Sequence, residues 1–269
     1  MSLFSNITIG QYYPGNSLVH RLDPRAKLLT VPIIAAAALL SNGMVGYLTV
    51  AIPVIIALLI AQIPLGAFLR GMKFLWIILT ISFVLHAISH PGEIIWEWSL
   101  FTVTREGLIN GLRLIYRLTL LIVTGMLLTM TTTPVNLTGG LERLLTPFKK
   151  VGIPAHELAM MMTIALRFVP TLLEEAEAIT RAQQARGGSI TTGSFSSRVR
   201  ASVALLVPML AGSLRRAEEL ATAMEARCYR GDVKRTSLKQ FTYTSRDYTV
   251  FILAISTLII VGVDRWILF

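Results

Sequence analysis

"LLTVPIIAAAALLSNGMVGYLTVAIPVIIALLIAQI", residues 28–63, carries no charged side chain. As a single helix it would be about 54 Å long, well beyond the ~30 Å hydrocarbon core of a bilayer. Ser41-Asn42-Gly43 is a turn signal in its middle and divides it into two membrane spans. Charge-free runs of the same kind cover 74–92, 118–141 and 248–263. With 54% of residues hydrophobic and only 15% charged, the composition is that of an integral membrane protein. Five spans are expected, near 27–42, 45–64, 72–90, 112–132 and 248–266. The first eleven residues are polar and lack the apolar core of a cleavable signal, so the first span is expected to stay as an anchor. One cysteine, Cys228, rules out an internal disulfide framework and any multi-cysteine metal site.

Lys and Arg outside the spans set the expected orientation, because short cytoplasmic loops accumulate them. Arg21, Arg25 and Lys27 precede the first span, and Arg70 and Lys73 lie between the second and third. The turn after the first span has no charge, and the loop 91–107 carries Glu93, Glu97 and Glu106 against Arg105. These loops place the N-terminus inside and the C-terminus outside. Arg113 and Arg117 fit poorly, near the outer end of the fourth span; they either face a polar interior or snorkel to the surface.

The expected organisation is therefore residues 1–133 with four spans, a cytoplasmic region 134–247, and a last span in 248–269. The middle region holds 16 of the 25 Lys and Arg and 10 of the 15 acids. Within it, 157–186 and 198–227 each read as about thirty helix-compatible residues, with Pro170 and Pro208 inside. Each proline should kink or split its helix. The first part of each is apolar and too short to span, so these helices are expected to lie against the membrane or another membrane protein. The fold class is all-α: about five transmembrane helices plus a cytoplasmic domain of long, proline-kinked helices.

The charged halves of these two helices repeat at an offset of 41 residues. Ala176-Glu177 pairs with Ala217-Glu218, Ala182 with Ala223, and Ala185-Arg186 with Ala226-Arg227. Helix propensity and an arginine offsetting the helix dipole by ~0.3–1 kcal/mol explain such an ending blandly. The functional alternative is two equivalent plugs, each presenting one guanidinium to one of two similar partners.

Several classes are excluded by what is missing. No Gly-Lys dipeptide is present, hence no phosphate-cradling P-loop, and neither H-E-x-x-H nor G-x-S-x-G occurs. His86 and His90, at i and i+4, could share a helix face as metal ligands or sit at the lipid interface. Met160-Met161-Met162 offers a soft-metal site, an adaptable docking surface or ordinary packing. No metal site is assigned. A net charge of +10 reflects cytoplasmic Lys and Arg and is a poor basis for nucleic-acid binding.

"HRLDPRAKLL" at 20–29, the five-span hydropathy, and Ala185-Arg186-Gly187 echoed by Ala226-Arg227-Cys228 together resemble the transmembrane T component of energy-coupling factor (ECF) transporters, the EcfT/CbiQ-like family. The likeness covers nearly the whole chain. It implies a non-catalytic subunit of an ABC-type importer in the cell membrane of a bacterium or archaeon. Such a subunit joins two cytosolic ATPases to one small membrane S component and drives uptake of a micronutrient, a vitamin or a transition-metal ion. It binds no cofactor itself; ATP-Mg is used by the partners. In the family the two Ala-Arg-Gly motifs end the coupling helices and enter a groove on each ATPase, which carries over to the two triplets named above.

Arginine suits that task, since its planar fork offers five donors and stays charged when desolvated. The second triplet departs from the family at Cys228, whose β-carbon disfavours a left-handed turn. The helix is therefore expected to run on towards Gly231, which leaves Arg230 as a rival; the 41-residue offset favours Arg227. In the N-terminal string Asp23 is expected to cap a helix that Pro24 begins, with Arg25 alongside, as a structural motif. The apolar portions, including Met160, Met161, Leu166, Leu172, Leu205, Leu206 and Met209, are where the S component is expected to dock. An ordinary ABC permease subunit, a secondary transporter or a channel remain as alternatives. A permease would show one main coupling helix rather than two.

Overall fold

The computed structural model describes residues 12–89, 91–98, 101–152, 154–187, 194–231 and 241–267. In chain order the elements are α1 (Pro24–Leu40), α2 (Met44–Ala61), α3 (Leu65–Ser89), strands β1 (Ile94–Trp98) and β2 (Phe101–Thr104), and α4 (Arg105–Thr131). Then come α5 (Pro134–Leu145), a 3-10 turn at Thr146–Val151, α6 (Ala155–Ala185), α7 (Phe195–Ala226) and α8 (Ser245–Ile267). The architecture is all-α, apart from an antiparallel hairpin that occupies the loop expected at 91–107, pairing Glu97 with Thr102. Two compact units result. Among the described residues one is built on 12–140 with 241–267 and the other on 141–231.

The first unit is a bundle. Ala37, Ala38, Val50, Val54, Leu127 and Val261, from α1, α2, α4 and α8, form its buried centre. Small residues there let helix backbones approach, the usual basis of packing in lipid. Outward faces are apolar instead of polar: Leu48, Ile52, Ile55 and Leu59 on α2 and Ile252 and Ile259 on α8 are exposed. That is the inversion a bilayer requires.

Among the described residues α2, α4, α6 and α8 are long and apolar enough to cross a membrane. The five expected spans coincide with α1 to α4 and α8, with corrections. The fourth begins earlier, at Arg105, and α1 has only 17 residues. In α3 the apolar part is Leu75–Ser89. α6, expected to lie against the membrane or another membrane protein, also has the length and composition of a span, because residues 155–173 carry only Glu157 and Arg167 as charges. α1 nevertheless runs the depth of α4 in the antiparallel sense. At one end Lys27 Nζ donates to the Thr131 carbonyl (3.0 Å) and to Thr132 Oγ1 (2.9 Å). At the other, Arg117 Nη2 donates to the Ser41 carbonyl (2.8 Å) and Asn42 Oδ1 (2.7 Å). Arg117 thus faces the polar turn between α1 and α2, whereas Arg113 is exposed.

A polar knot closes the same end of the bundle as Lys27. Asp23 is the N-cap of α1, accepting from Arg25 N–H at 2.9 Å, and Pro24 opens the helix. Arg25 returns a two-pronged contact to the Asp23 carboxylate, at 3.1 and 2.8 Å. It also donates to the Phe241 carbonyl at 2.8 Å and stacks 4.0 Å above the Tyr243 ring. Asp247, buried, accepts from Thr244 N–H through one oxygen and from Asp23 N–H through the other, both at 2.8 Å. One carboxylate therefore spans the N-terminal ends of two helices, where peptide dipoles favour negative charge. Gly139 and Gly140 complete the knot: a β-carbon on either would lie 3.0 Å from Phe241 or Pro24.

The second unit contains α6 and α7. Both are continuous through Pro170 and Pro208, so neither proline splits its helix. α5 was not expected from the sequence. Glu142 at its end meets His156 of α6 at 2.8 Å.

Candidate functional site

α6 ends at Ala185 and α7 at Ala226, 41 residues apart, as the repeat requires. Arg186 follows as the C-cap; its N–H closes on the Gln183 carbonyl at 3.1 Å and that of Gly187 on Gln184 at 3.0 Å. In α7, Arg227 N–H closes on Met224 at 3.1 Å and Cys228 N–H on Glu225 at 2.8 Å. Each donor and each acceptor is shifted by 41 positions. The repeat is thus one of backbone geometry as well as of letters.

Gly187 stands at φ +81°, the left-handed conformation for which glycine has no steric penalty. Cys228 adopts the same region at φ 57°. This corrects the expectation that the helix continues towards Gly231. The cost of a left-handed L-residue, about 1–2 kcal/mol, is offset by closure: Tyr229 N–H bonds the Met224 carbonyl at 3.0 Å around the turn while Cys228 N–H bonds Glu225. Arg230 lies beyond that closure, so the residue in Arg186's place is Arg227. Gly188 lies outside the described residues.

Replacing Cys228 by glycine is expected to relieve the strained turn. Glycine's own entropy in the open state takes back part of the gain, leaving roughly 0.5–1 kcal/mol. Hydrogen exchange at the Tyr229 amide should then slow about two- to fivefold. Unchanged or faster exchange would show that Cys228 is not strained.

Arg186 and Arg227 are exposed, and among the described residues neither guanidinium has a hydrogen-bond or ion-pair partner. The apolar portions of the two helices present a different surface. Met161 and Leu206 are exposed, while Met160, Leu166, Leu172, Leu205 and Met209 are half-buried. On α7 the exposed Val203, Val207, Leu210 and Leu214 extend the face of Leu206. His86 Nδ1 lies 3.1 Å from the Ser82 carbonyl of its own helix, and His90 is outside the described residues. Among the described residues no three His, Cys, Asp or Glu are grouped to hold a metal ion.

Two contacts were not anticipated. Asp247 was counted only as the last residue of the charged region, yet an acid immediately before the final charge-free run is the kind of residue that caps a span. Glu175 and Arg216 meet at 2.8 Å across α6 and α7, and they too are 41 positions apart.

Comparison with known proteins agrees with this geometry. A family model described as cobalt transport protein, CbiQ, matches residues 15–238. The energy-coupling factor transporter transmembrane protein EcfT of Acidaminococcus fermentans is 45% identical over 264 residues, 98% of either chain. Proteins of the same name are 48% identical in Thermosediminibacter oceani, over 91% of this chain and 93% of the relative, and 42% identical in Bacillus subtilis, over 93% and 95%.

Proposed function

The chain belongs to the CbiQ family, whose relatives here are transmembrane proteins of ECF transporters, and from that membership we propose that it couples two cytosolic ATPases to a substrate-binding S component. The cargo is a micronutrient, a vitamin or a transition-metal ion, selected by the S component. Arg186 and Arg227 dock the ATPases, each presenting its fork from the C-cap of one long helix. The observation that carries this reading is the pair of matched, exposed arginine ends. Two equal ends in one chain suit two equal partners. ATP is bound and hydrolysed by those partners; this chain supplies the helices that relay their closing motion.

The exposed apolar face of α7 around Leu206 and Leu210, together with Met161 of α6, suits an apolar membrane partner. Purification from the native membrane in mild detergent tests the assignment. Two ATPase chains and one small apolar membrane protein are expected. Recovery of the chain alone, or with a second permease of similar size, would overturn it.

Orientation is read from the bundle and its charges. Arg21, Arg25, Lys27 and Arg246 flank the starts of α1 and α8, at the end of the bundle we place in the cytoplasm. Cys228 is exposed, and on this orientation it lies on the inner side. A membrane-impermeant thiol reagent should label it in inside-out vesicles and after lysis only. Labelling in intact cells would reverse the topology.

A further inference from the structure

Glu175 and Arg216 correspond to one another under the 41-residue offset that relates the two docking ends, and they are in contact. Arg216 Nη2 lies 2.8 Å from Glu175 Oε2, with both side chains more than two-thirds buried. Room for the contact is built into α7. A β-carbon at Gly212, one turn before Arg216, would stand 2.7 Å from Glu175 Oε1. When a position touches its own repeat equivalent, that point lies equally far along both helices. From Glu175 to Arg186 is eleven residues, and from Arg216 to Arg227 is eleven. At the helical rise each arm is about 16 Å long.

We infer that the Glu175–Arg216 ion pair is the pivot of the two coupling helices, positioning Arg186 and Arg227 at equal reach for two equivalent partners. This rests on the docking role proposed above for those arginines. The pair suits a pivot better than a weld. Glu175 Oε2, 2.8 Å from Arg216 Nη2, has no hydrogen-bond partner of good geometry among the described residues, so the contact is one of charge at short range, not of an aligned bond. Charge attraction has little directional preference and persists as the helices rotate, where a hydrogen bond weakens steeply off its axis. The equivalence is confined to the contact and the two ends. Ala176 and Thr180 of α6 are buried, while their counterparts Ala217 and Ala221 are exposed.

The test is a distance measurement on the full chain in lipid nanodiscs, alone and with its ATPases. Spin labels go on cysteines placed at the exposed Gln184 and Glu225, in a Cys228→Gly background. One narrow distance distribution is expected. Glu175→Ala and Arg216→Ala should each broaden it at least twofold and weaken ATPase binding about tenfold. The charge-exchanged pair, Glu175→Arg with Arg216→Glu, should restore both to within about twofold of the parent. Glu175→Gln, which keeps the volume and removes the charge, replaces any variant that fails to insert. Narrow distributions in the single variants, or no rescue by the exchange, would overturn the pivot. If the distances respond as expected while Arg186 and Arg227 prove dispensable for ATPase binding, the pivot stands and the docking role falls.

Discussion

Arg186→Ala combined with Arg227→Ala is expected to abolish recovery of the ATPase subunits while the chain still inserts in the membrane. If the two arginines merely offset helix dipoles, each loss would cost under about 1 kcal/mol and assembly would survive. If each fork is buried against a carboxylate of a partner, truncation leaves that carboxylate desolvated and unpaired. The penalty is then ~2–5 kcal/mol per site, roughly 30-fold or more in affinity. Arg→Lys at both positions separates the two accounts more sharply. Lysine keeps the charge and satisfies a dipole, but a single ammonium cannot reproduce a planar two-pronged contact. The Lys pair should insert normally and couple poorly, read as uptake per ATP hydrolysed in proteoliposomes. Parental ATPase binding in both double variants would remove the docking role from these residues.

The second large effect is expected at Asp247. Replacement by alanine strands the buried N–H of Asp23 and removes the acceptor of the Thr244 N–H, which belongs to an exposed residue. At about 1–3 kcal/mol for the buried unsatisfied donor and about 0.5–1.5 kcal/mol for the bond lost at Thr244, the bundle should lose roughly 1.5–4.5 kcal/mol. Its thermal midpoint in detergent should fall by about 5–15 °C. Asp247→Asn retains one acceptor oxygen and gives up the charge, so its loss should be about half as large. ATPase binding through Arg186 and Arg227 should persist below the lowered midpoint. A midpoint unchanged in the alanine variant would mean that the carboxylate bridge contributes nothing.

How much of this was legible in the sequence depends on the range of each interaction. Spans were readable because lipid excludes charge, and a run such as 28–63 declares that exclusion by itself. The paired ends were readable because Ala185-Arg186 and Ala226-Arg227 repeat within adjacent helices. The Asp23 cap was local and could be inferred from Asp23-Pro24 alone. Its other bond, to Asp247, joins residues 224 positions apart, and no local pattern reports such a partner. Lys27 reads by its charge as a loop marker and Arg117 as a misfit within the fourth span, because their partners are hydroxyl, carbonyl and amide oxygens at the far ends of other helices, invisible to a count of charges. Cys228 was misjudged for a different reason. The steric cost of its conformation was weighed without the two closing hydrogen bonds that oppose it. Glu175 and Arg216 were within reach, since the offset that found the ends also pairs these two, but the letters differ and only contact in the fold gives the correspondence meaning.

The knot around Asp23 and Arg25 also bears on biogenesis. Exit from the bundle at Gly139–Gly140 and re-entry at Phe241 meet at one point beside Pro24, with residues Leu141–Gln240 strung between them. The ribosome delivers α1 to α4 first and α8 last. At ~5–20 residues per second, about a hundred intervening residues impose a wait of roughly 5–20 s. During that interval the Asp23 N–H lacks its acceptor and the surface of α1 and α2 that α8 will cover stays open to lipid. Nascent chains halted before α8 should therefore be the form most exposed to membrane proteases, and the arrival of Asp247 is the step that ends the exposure.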